Sequence, residues 1–370
     1  MLALLAFCLV AGTIVYCLAV VLAARDYLAQ RRAGGQRVTP ISVLKPLSGI
    51  DEGLENNLRS FFSQDHSDFE LLFAVREADD PALATVETLR REFPHCPVTV
   101  IVTGEAPYPN AKVFSLDRML AAARHDLLVM SDSDIRIAPG FLSAVAAEFN
   151  DPEIALATCP YRAVAGRSIW SQLEAEGMNT EFLGGLLVAR YLEGVKFAVG
   201  PTIAARKSAL EGIGGFAALK DYLAEDFVMG KFAAAAGFGV ILSRNIVQHH
   251  IGSESLRANI AHRLRWARST RRSRPLGYLG QIFTHTLPIS AAVLPFRPSW
   301  WPAIAIALAA RGLAAWATCA SILRTRPRWL LLIVQDFLAF VFWLAGLTGN
   351  TILWRGRRYY LYSDGRFELR

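Results

Sequence analysis

Residues 2–24 form an uninterrupted apolar segment that contains no charged side chain. As a helix, with a rise of about 1.5 Å per residue, this segment is about long enough to cross a bilayer. A cleavable signal peptide is the alternative, but no basic residue precedes the run and the run is too long for a signal-peptide core. The segment therefore predicts an uncleaved membrane anchor at residues 1–25.

The composition indicates more lipid-facing surface than one anchor provides. The 370-residue chain is 53% hydrophobic and its mean hydropathy is +0.30, which is too apolar for an ordinary soluble protein of this size. Basic residues after the anchor place the following polar domain in the cytoplasm. These residues are Arg25, Arg31, Arg32 and Arg37. The chain is thus expected to be a multi-pass protein of the inner or plasma membrane with its polar domain on the cytoplasmic side.

A net charge of +7 suits an anionic membrane surface or an anionic substrate. Nucleic acid is the other usual partner of a basic chain, but no recognition motif is present and the basic residues cluster beside apolar spans, where lipid explains them. We therefore expect no nucleic-acid partner. The five cysteines form no CxxC pair, so neither a zinc site nor a disulfide framework is indicated.

Between residues 40 and 160, short apolar runs alternate with helical patterns. Strands are predicted at 40–46, 70–75, 98–102, 127–130 and 155–159, and helices at 54–63, 81–93, 115–124 and 139–149. This rhythm predicts an α/β domain with a parallel, doubly wound sheet. The glycine-rich phosphate-binding motifs are absent, so a bound nucleotide would be held through carboxylates and a metal.

Asp132 and Asp134 directly follow the strand at 127–130. Ligands collect at the carboxyl ends of strands in open α/β sheets. Two aspartates one residue apart at such an end can hold a hard divalent cation against a diphosphate. An EF-hand is excluded, because its glycine and closing glutamate are missing. Asp-x-Asp also occurs in turns, so the pair alone is a weak signal.

Two further charged stretches follow. Glu225 and Asp226 start a predicted helix, where a cap and dipole partner is the commoner interpretation. Residues 257–274 carry seven arginines, of which Arg265, Arg268 and Arg272 share a helical face. This helix either faces solvent or lipid headgroups, or it supplies guanidinium groups for a pyrophosphate.

The last part of the chain is apolar again. Residues 298–323 and 329–354 are each long enough to span, whereas 282–296 is short, contains two prolines and suits an interfacial or re-entrant segment. If only the two long segments cross the membrane, the basic tail at 355–370 is cytoplasmic. If residues 282–296 cross as well, the tail lies on the opposite side. We favour the cytoplasmic tail. Tryptophans stand at plausible membrane interfaces: Trp300, Trp301, Trp329 and Trp354.

Taken together, these residues resemble the ceramide glucosyltransferase family, which is glycosyltransferase family 21 with a family 2-like GT-A fold. That family is marked by three separated aspartate motifs and a later [Arg/Gln]-x-x-Arg-Trp motif. The matches are Asp80 in Asp79-Asp80-Pro81, Asp132 in Ser131-Asp132-Ser133-Asp134, Asp226 in Ala224-Glu225-Asp226, and Arg265-Trp266. The resemblance extends over residues 43–278.

Two positions depart from the family pattern. His262 occupies the first position of the last motif, and Asp134 completes an Asp-x-Asp that some members lack. The runs 265–268 and 274–278 also resemble a branch associated with hopanoid glycosylation. The resemblance implies a GT-A fold flanked by transmembrane helices and transfer of a hexose, with inversion, from a UDP-sugar to a membrane-lipid hydroxyl. UDP-glucose or UDP-N-acetylglucosamine is the expected donor, and a ceramide-type or hopanoid lipid the expected acceptor.

On the donor side, the resemblance implies that Asp79 and Asp80 accept hydrogen bonds from uracil or ribose and that Lys112 lies close to the nucleotide. Asp132 and Asp134 would hold Mg²⁺ or Mn²⁺ against the two phosphates.

On the acceptor side, Asp226 is the expected general base, with Glu225 as the competing assignment. Arg265, together with His262, would hold the pyrophosphate. Trp266 either packs at the acceptor end or anchors the chain at the membrane interface.

The domains expected are an anchor at 1–25, a cytoplasmic GT-A domain at 38–256, a basic interfacial segment at 257–297, transmembrane helices at 298–354 and a basic tail at 355–370. Two other functions remain open at this point. A processive polysaccharide synthase shares the aspartates and a Gln-x-x-Arg-Trp motif, and a non-catalytic, membrane-anchored nucleotide-sugar-binding scaffold would need only the binding residues.

Overall fold

The structure, a computed structural model, describes residues 1–30, 34, 39–354 and 356–370. Four arginines used in the charge argument for membrane orientation lie outside the described residues: Arg31, Arg32, Arg37 and Arg355.

The described residues form these strands: β1 (Ile41–Pro46), β2 (Phe69–Val75), β3 (Val98–Val102), β4 (Leu127–Ser131), β5 (Ile135–Arg136), β6 (Ile154–Thr158), β7 (Tyr161–Val164), β8 (Thr202–Arg206), β9 (Gly239–Leu242), β10 (Val247–His250), β11 (Thr351–Trp354), β12 (Arg357–Leu361) and β13 (Phe367–Leu369). The five strands predicted from the sequence are confirmed as β1 to β4 and β6.

The α-helices are α1 (Leu2–Ala29), α2 (Leu54–Phe62), α3 (Ala82–Glu92), α4 (Ala111–Ala122), α5 (Phe141–Glu148), α6 (Ile169–Gly177), α7 (Leu183–Glu193), α8 (Lys207–Gly212), α9 (Glu225–Ala235), α10 (Leu256–Ser273), α11 (Pro275–Gly280), α12 (Thr286–Val293), α13 (Trp301–Trp316) and α14 (Trp329–Gly346). A π-helical segment, Met178–Phe182, joins α6 to α7, and a second, Ala317–Ile322, continues α13.

The central sheet has the order β3-β2-β1-β4-β8-β6-β9. Strands β1 to β4 pair in parallel, as predicted. The expectation of a wholly parallel sheet is wrong at β8, which runs antiparallel to both β4 and β6. The long helical segment before β8 returns the chain to the carboxyl edge of β4, where Pro201 O accepts a hydrogen bond from Asp132 N. A strand that starts at this edge must run in the opposite direction.

The central strands are buried on both faces, which explains why their sequences are almost continuously apolar. On one face, Val43 and Val129 pack with α2, α3 and α5. On the other face, Leu44 and Leu128 pack with α4 and α9. The two layers hold the carboxyl edge of the sheet in a fixed position for the polar residues that follow the strands.

In the part of the chain that the structure describes, three helices are long and apolar enough to cross a membrane, by length and composition: Leu2–Ala29, Pro298–Ile322 and Trp329–Gly346. The helix predicted over 329–354 is wrong beyond Gly346, because residues 351–354 form β11. Gly349, in a left-handed conformation (φ +75°), interrupts the helical direction. Trp354 accordingly packs on Tyr359 and Phe367.

A buried ion pair joins the last two apolar helices. Arg311 on α13 donates to both carboxylate oxygens of Asp336 on α14, with Nε–Oδ2 at 2.9 Å and Nη2–Oδ1 at 2.7 Å. Arg311 Nη2 also approaches Thr180 Oγ1 in the first π-helical segment, at 3.4 Å. Charged side chains within apolar helices are stable only when paired, so this contact fixes how α13 and α14 pack.

We expect Asp336→Ala to destabilise the protein by about 3–5 kcal/mol, because it leaves the Arg311 guanidinium buried and unpaired. Thermal unfolding in detergent or nanodiscs measures this loss. The double variant Arg311→Met/Asp336→Leu is the control, since replacing both charges by apolar side chains should restore most of the stability. Equal destabilisation of the single and double variants would contradict the charge argument.

Candidate active site

The candidate site lies at the carboxyl edge of β4. Lys45, at the end of β1, is fully buried beneath this edge and donates to the backbone oxygen of Asp132 at 2.7 Å. Its ammonium group lies 3.7 Å from the centre of the Phe61 ring. Burial lowers the pKa of Lys45 to about 7, against the opposing effect of Asp132 and Asp134. A buried lysine side chain therefore supports the backbone of the Asp-Ser-Asp segment from below.

A second lysine neutralises the carboxylates above this edge. Lys112 Nζ lies 2.7 Å from Asp132 Oδ1 and 3.1 Å from Glu225 Oε1. Burial favours the neutral amine, but the two carboxylates outweigh it and raise the pKa of Lys112. Asn110 fixes the lysine locally, because its side chain caps α4 at Val113 N (3.2 Å) and thereby places Lys112 in the first turn.

Asp226 follows Glu225 in the first turn of α9. Both residues line a small crevice together with Lys112, Asp132 and Gly200. Burial, together with the adjacent Glu225 carboxylate, raises the pKa of Asp226 to about 7. A carboxyl group with this pKa can take up a proton near neutral pH, whereas an ordinary aspartate cannot. The structure thus brings together three of the sequence-predicted residues (Lys112, Asp132 and Asp226), along with the competing base Glu225.

Asp134 makes a different contact. His249 Nε2 lies 3.0 Å from Asp134 Oδ2, whereas Asp134 Oδ1 is buried without a hydrogen-bond partner among the described residues. Burial would raise the pKa of Asp134, but the His249 imidazolium outweighs it and lowers the pKa. No sequence motif marked His249. The pairing of β10 with β5, in which His249 lies opposite Ile135, brings it to the site.

Asp132 and Asp134 offer donors of the type that a divalent cation binds. Asp134 offers a buried oxygen that the protein itself does not satisfy, and Asp132 offers a second carboxylate two residues earlier. Carboxylate oxygens are the ligands that Mg²⁺ and Mn²⁺ prefer. Asp132 already has a partner in Lys112, so a cation would compete with this ammonium group for the Asp132 carboxylate.

A row of aromatic contacts connects His249 with α10. Tyr161 lies against His249 and Phe182, with ring centroids 5.3 Å apart in both cases. Phe182 contacts Trp266 at 5.8 Å, and Trp266 contacts His262 at 5.2 Å. Trp266 therefore packs against the aromatic side chains of this row.

His262 is held by a buried carboxylate. Its Nδ1 lies 2.7 Å from Glu174 Oε1 on α6, and Asn259 donates to the same glutamate. Glu174 is thus a residue of this region that no sequence motif indicated. Arg265 lies one turn after His262 on α10, and the contact between His262 and Glu174 joins this helix to α6.

Most of the other arginines on α10 bind protein groups. Arg268 donates to Thr351 O at 2.5 Å, and Arg271 donates to Leu347 O and Gly349 O, each at 2.5 Å. These carbonyl groups lie just beyond the end of α14, where cations are favourable. The interpretation of residues 265, 268 and 272 as one pyrophosphate cluster is therefore wrong for Arg268, and Arg272 donates to the Asn350 side chain instead.

Asp79 and Asp80 lie on a separate part of the same edge and are not among the residues that line the crevice. Asp79 is exposed. Asp80 accepts a hydrogen bond from Ala82 N at 2.9 Å and from Gly49 N at 3.1 Å, so it joins the loop after β1 to the start of α3. This structural role was not apparent from the sequence.

The C-terminal sheet, β11 to β13, supports the segment that precedes Glu225. Asp221 O accepts a hydrogen bond from Phe367 N at 2.9 Å. Leu223 is buried in a cluster with Tyr359 and Phe367. Because Arg268 holds the start of β11, this sheet links α10 to the segment that carries Asp226. The predicted basic tail is therefore a folded part of the site's surroundings over residues 356–370.

The family model and two curated proteins that this chain matches are described as glycosyltransferases. The family model described as Glycosyl transferase family 21 matches residues 3–367. Ceramide glucosyltransferase 1 of Caenorhabditis elegans is 31% identical over 205 residues, covering 55% of this chain and 44% of that protein. Ceramide glucosyltransferase 3 of the same organism is 25% identical over 229 residues, covering 62% and 50%. The matched regions thus span about half the length of these curated relatives.

A similar solved structure is the mannosyltransferase PcManGT from Pyrobaculum calidifontis, in complex with GDP-Man and Mn²⁺. The TM-score is 0.57 at 19% sequence identity, and the match covers 93% of this chain and 99% of that one. At this level of identity the match establishes the GT-A-like α/β fold, including the mixed sheet.

We expect Asp134→Asn to weaken Mn²⁺ binding by about 10–100-fold, because it removes the carboxylate whose second oxygen lacks a protein partner. Titration of the detergent-solubilised protein with Mn²⁺, followed by electron paramagnetic resonance, measures this affinity. Asp51→Asn is the matched control, since this nearby carboxylate accepts from Ser133 Oγ and is exposed. Equal Mn²⁺ affinity for Asp134→Asn and the unaltered protein would remove Asp134 from the site.

Proposed function

Because this chain belongs to glycosyl transferase family 21, we propose that it is a membrane-bound inverting glycosyltransferase. It transfers a hexose from a UDP-sugar, UDP-glucose or UDP-N-acetylglucosamine, to the hydroxyl group of a membrane lipid. The observation that carries this proposal is the single crevice in which Asp226, with its raised pKa, lies beside Lys112 and Asp132. A base and a cationic group in one crevice meet the two demands of transfer from a sugar diphosphate.

Asp226 acts as the general base. Its carboxylate takes the proton of the acceptor hydroxyl while the hydroxyl oxygen bonds to the anomeric carbon. The bond from that carbon to the phosphate oxygen breaks in the same step, and its electron pair leaves with UDP. Attack opposite the leaving group inverts the anomeric configuration. Burial of Asp226 serves this step, since it keeps the carboxylate basic enough to accept a proton near neutral pH.

Lys112 and Arg265 stabilise the charge that develops on the diphosphate. Lys112 is already fixed by Asp132 and Glu225, so its ammonium group is oriented before the donor binds. A divalent cation held by Asp132 and Asp134, with His249 beside them, would supply further positive charge to the leaving group. Asp79 and Asp80, on the same edge, bind the nucleoside part of the donor. His262, paired with Glu174, orients the helix that carries Arg265.

The apolar helices account for the acceptor class. A lipid with a long apolar body stays in the bilayer, so the base must lie near the membrane surface. The named relatives are ceramide glucosyltransferases, which supports a ceramide-type acceptor. A hopanoid polyol is the second acceptor, supported by the runs 265–268 and 274–278. A processive polysaccharide synthase is less well supported, because such enzymes need a channel built from more spans than the three candidate helices described.

The activity is tested with purified protein in detergent or nanodiscs. UDP release from UDP-glucose and UDP-N-acetylglucosamine is measured with ceramide, with a hopanoid polyol and without lipid. Lipid-dependent UDP release, with a glycolipid detected by mass spectrometry, supports the proposal. UDP-sugar binding without turnover on either lipid would favour the non-catalytic scaffold.

We expect Asp226→Asn to lower the turnover number by about 10²–10⁴-fold while UDP binding is retained, because the amide cannot accept the hydroxyl proton. Glu225→Gln is the comparison variant, since Glu225 competes for the same role. In the unaltered enzyme, turnover should rise as the pH increases through about 7, where the Asp226 carboxyl loses its proton. Near-normal turnover of Asp226→Asn, with loss in Glu225→Gln, would transfer the role to Glu225.

We expect Gly200→Ala to lower turnover by about 10–100-fold, because a Cβ at this position would lie 2.9 Å from Asp226 Oδ2 and would displace the carboxylate. Steady-state kinetics and thermal unfolding are measured together. Gly280→Ala is the matched control, since a Cβ there meets no heavy atom within 4 Å. An unchanged turnover number for Gly200→Ala would show that the position of the Asp226 carboxylate is not critical.

A further inference from the structure

Helix α14 is apolar enough to cross a membrane, yet both of its ends contact the polar domain. At its start, Arg328 Nη1 donates to Gln172 Oε1 at 3.1 Å and Arg328 N donates to Glu176 Oε1 at 3.2 Å. Both acceptors lie on α6. The beginning of α6 is itself joined to the loop after β10, since Ser171 Oγ accepts from Glu254 N at 2.9 Å.

The other end of α14 returns to the same domain. Arg271 of α10 donates to Leu347 O, directly after the last turn of α14. The chain then forms the C-terminal sheet, which binds Asp221 O through Phe367 N. Between the two ends, Gln335 Oε1 accepts from Arg263 Nη2 at 2.8 Å, so the middle of α14 also lies against α10.

These contacts are incompatible with a crossing helix. An 18-residue helix is about 27 Å long, close to the ~30 Å thickness of the hydrocarbon core. If α14 crossed the bilayer, its two ends would lie on opposite faces. The two ends are bound by α6 and α10, which carry glutamates and arginines, and such charged helices cannot pass through the hydrocarbon core to reach both faces.

The outer face of α14 is uniformly apolar. Its exposed side chains recur every three or four residues and form one stripe: Leu330, Ile333, Val334, Phe337, Val341 and Leu344. The inner face packs on α6, α10 and α12. Two exposed arginines, Arg324 and Arg326, precede the helix and suit anionic headgroups.

We infer that α14 does not cross the membrane and lies in its plane, between the GT-A domain and the bilayer. Its exposed stripe is embedded in the leaflet on the side of the catalytic domain. The C-terminal sheet and the segment between α13 and α14 are then on the same side as the catalytic domain. This placement requires residues 281–297 to carry the chain to the opposite face before α13 crosses back, and the ring centroid of Trp300 accordingly lies 6.3 Å from that of Phe7, near the start of α1. The sequence-based topology with two full C-terminal spans, which places Arg324 and Arg326 on the opposite side, is replaced by this arrangement.

Sided labelling of single cysteines tests the topology. In a variant without the five native cysteines, cysteine replaces Thr325 (between α13 and α14), Ser363 (between β12 and β13) or Asp151 (GT-A domain). A membrane-impermeant maleimide is added to sealed vesicles of each orientation, with a tag at Met1 as the opposite-face marker. Labelling of all three positions from one face is expected. Labelling of Thr325→Cys and Ser363→Cys from opposite faces would overturn the inference.

Depth measurement provides a second test. Nitroxide labels are placed on Leu330→Cys, Phe337→Cys and Leu344→Cys, and their exposure to oxygen and to a polar nickel complex is compared. An in-plane helix holds all three labels at similar depth. Leu5→Cys, Val15→Cys and Leu22→Cys on α1 are the matched set, in which the middle label should be deepest. A label at 337 much deeper than those at 330 and 344 would show that α14 crosses.

Discussion

The arrangement of the site depends on the ammonium group of Lys112, which lies between the carboxylates of Asp132 and Glu225. Asp132 follows a central strand, whereas Glu225 starts a helix almost a hundred residues later, and the lysine holds the two together. Without a cation at this point, the three carboxylates of Asp132, Glu225 and Asp226 would repel one another across a single crevice. Lys112 lowers the pKa of Asp226, but burial and the Glu225 carboxylate raise it more strongly. The pKa of Asp226 is therefore about 7.

The membrane-associated part of the chain supports this cluster. Helix α10 is tied to α6 by His262 and Glu174, to α14 by Arg263, and to the C-terminal sheet by Arg268. The sheet in turn supports the segment before Glu225 through Asp221 and Leu223. These contacts join the apolar helices to the segment that precedes the candidate base.

Sequence reasoning predicted most of the fold because its signals were local. Apolar runs of strand length alternated with helical patterns, and each of the five predicted strands is present. It failed where a distant element decided the outcome. The direction of β8 follows from the long helix before it, and the helix predicted through residue 354 ends at Gly346 because arginines from α10 bind the carbonyl groups beyond it. The candidate-site aspartates were recognised from their position after strands and from the family resemblance, whereas His249 and Glu174 were not, since no short motif contains them.

The sequence by itself determined the α/β class, the apolar helices and the chemical character of Asp132, Asp134 and Asp226, because strand periodicity, hydrophobic length and residue type are properties of short segments. Only the tertiary structure decided which charges meet. In the structure, Lys112 pairs with Asp132 and Glu225, and Asp134 pairs with His249. Arginines of α10 bind carbonyl groups at the end of α14. These pairings join residues that are far apart in the chain, and their strength depends on burial. A short sequence pattern contains neither the pairing nor the burial.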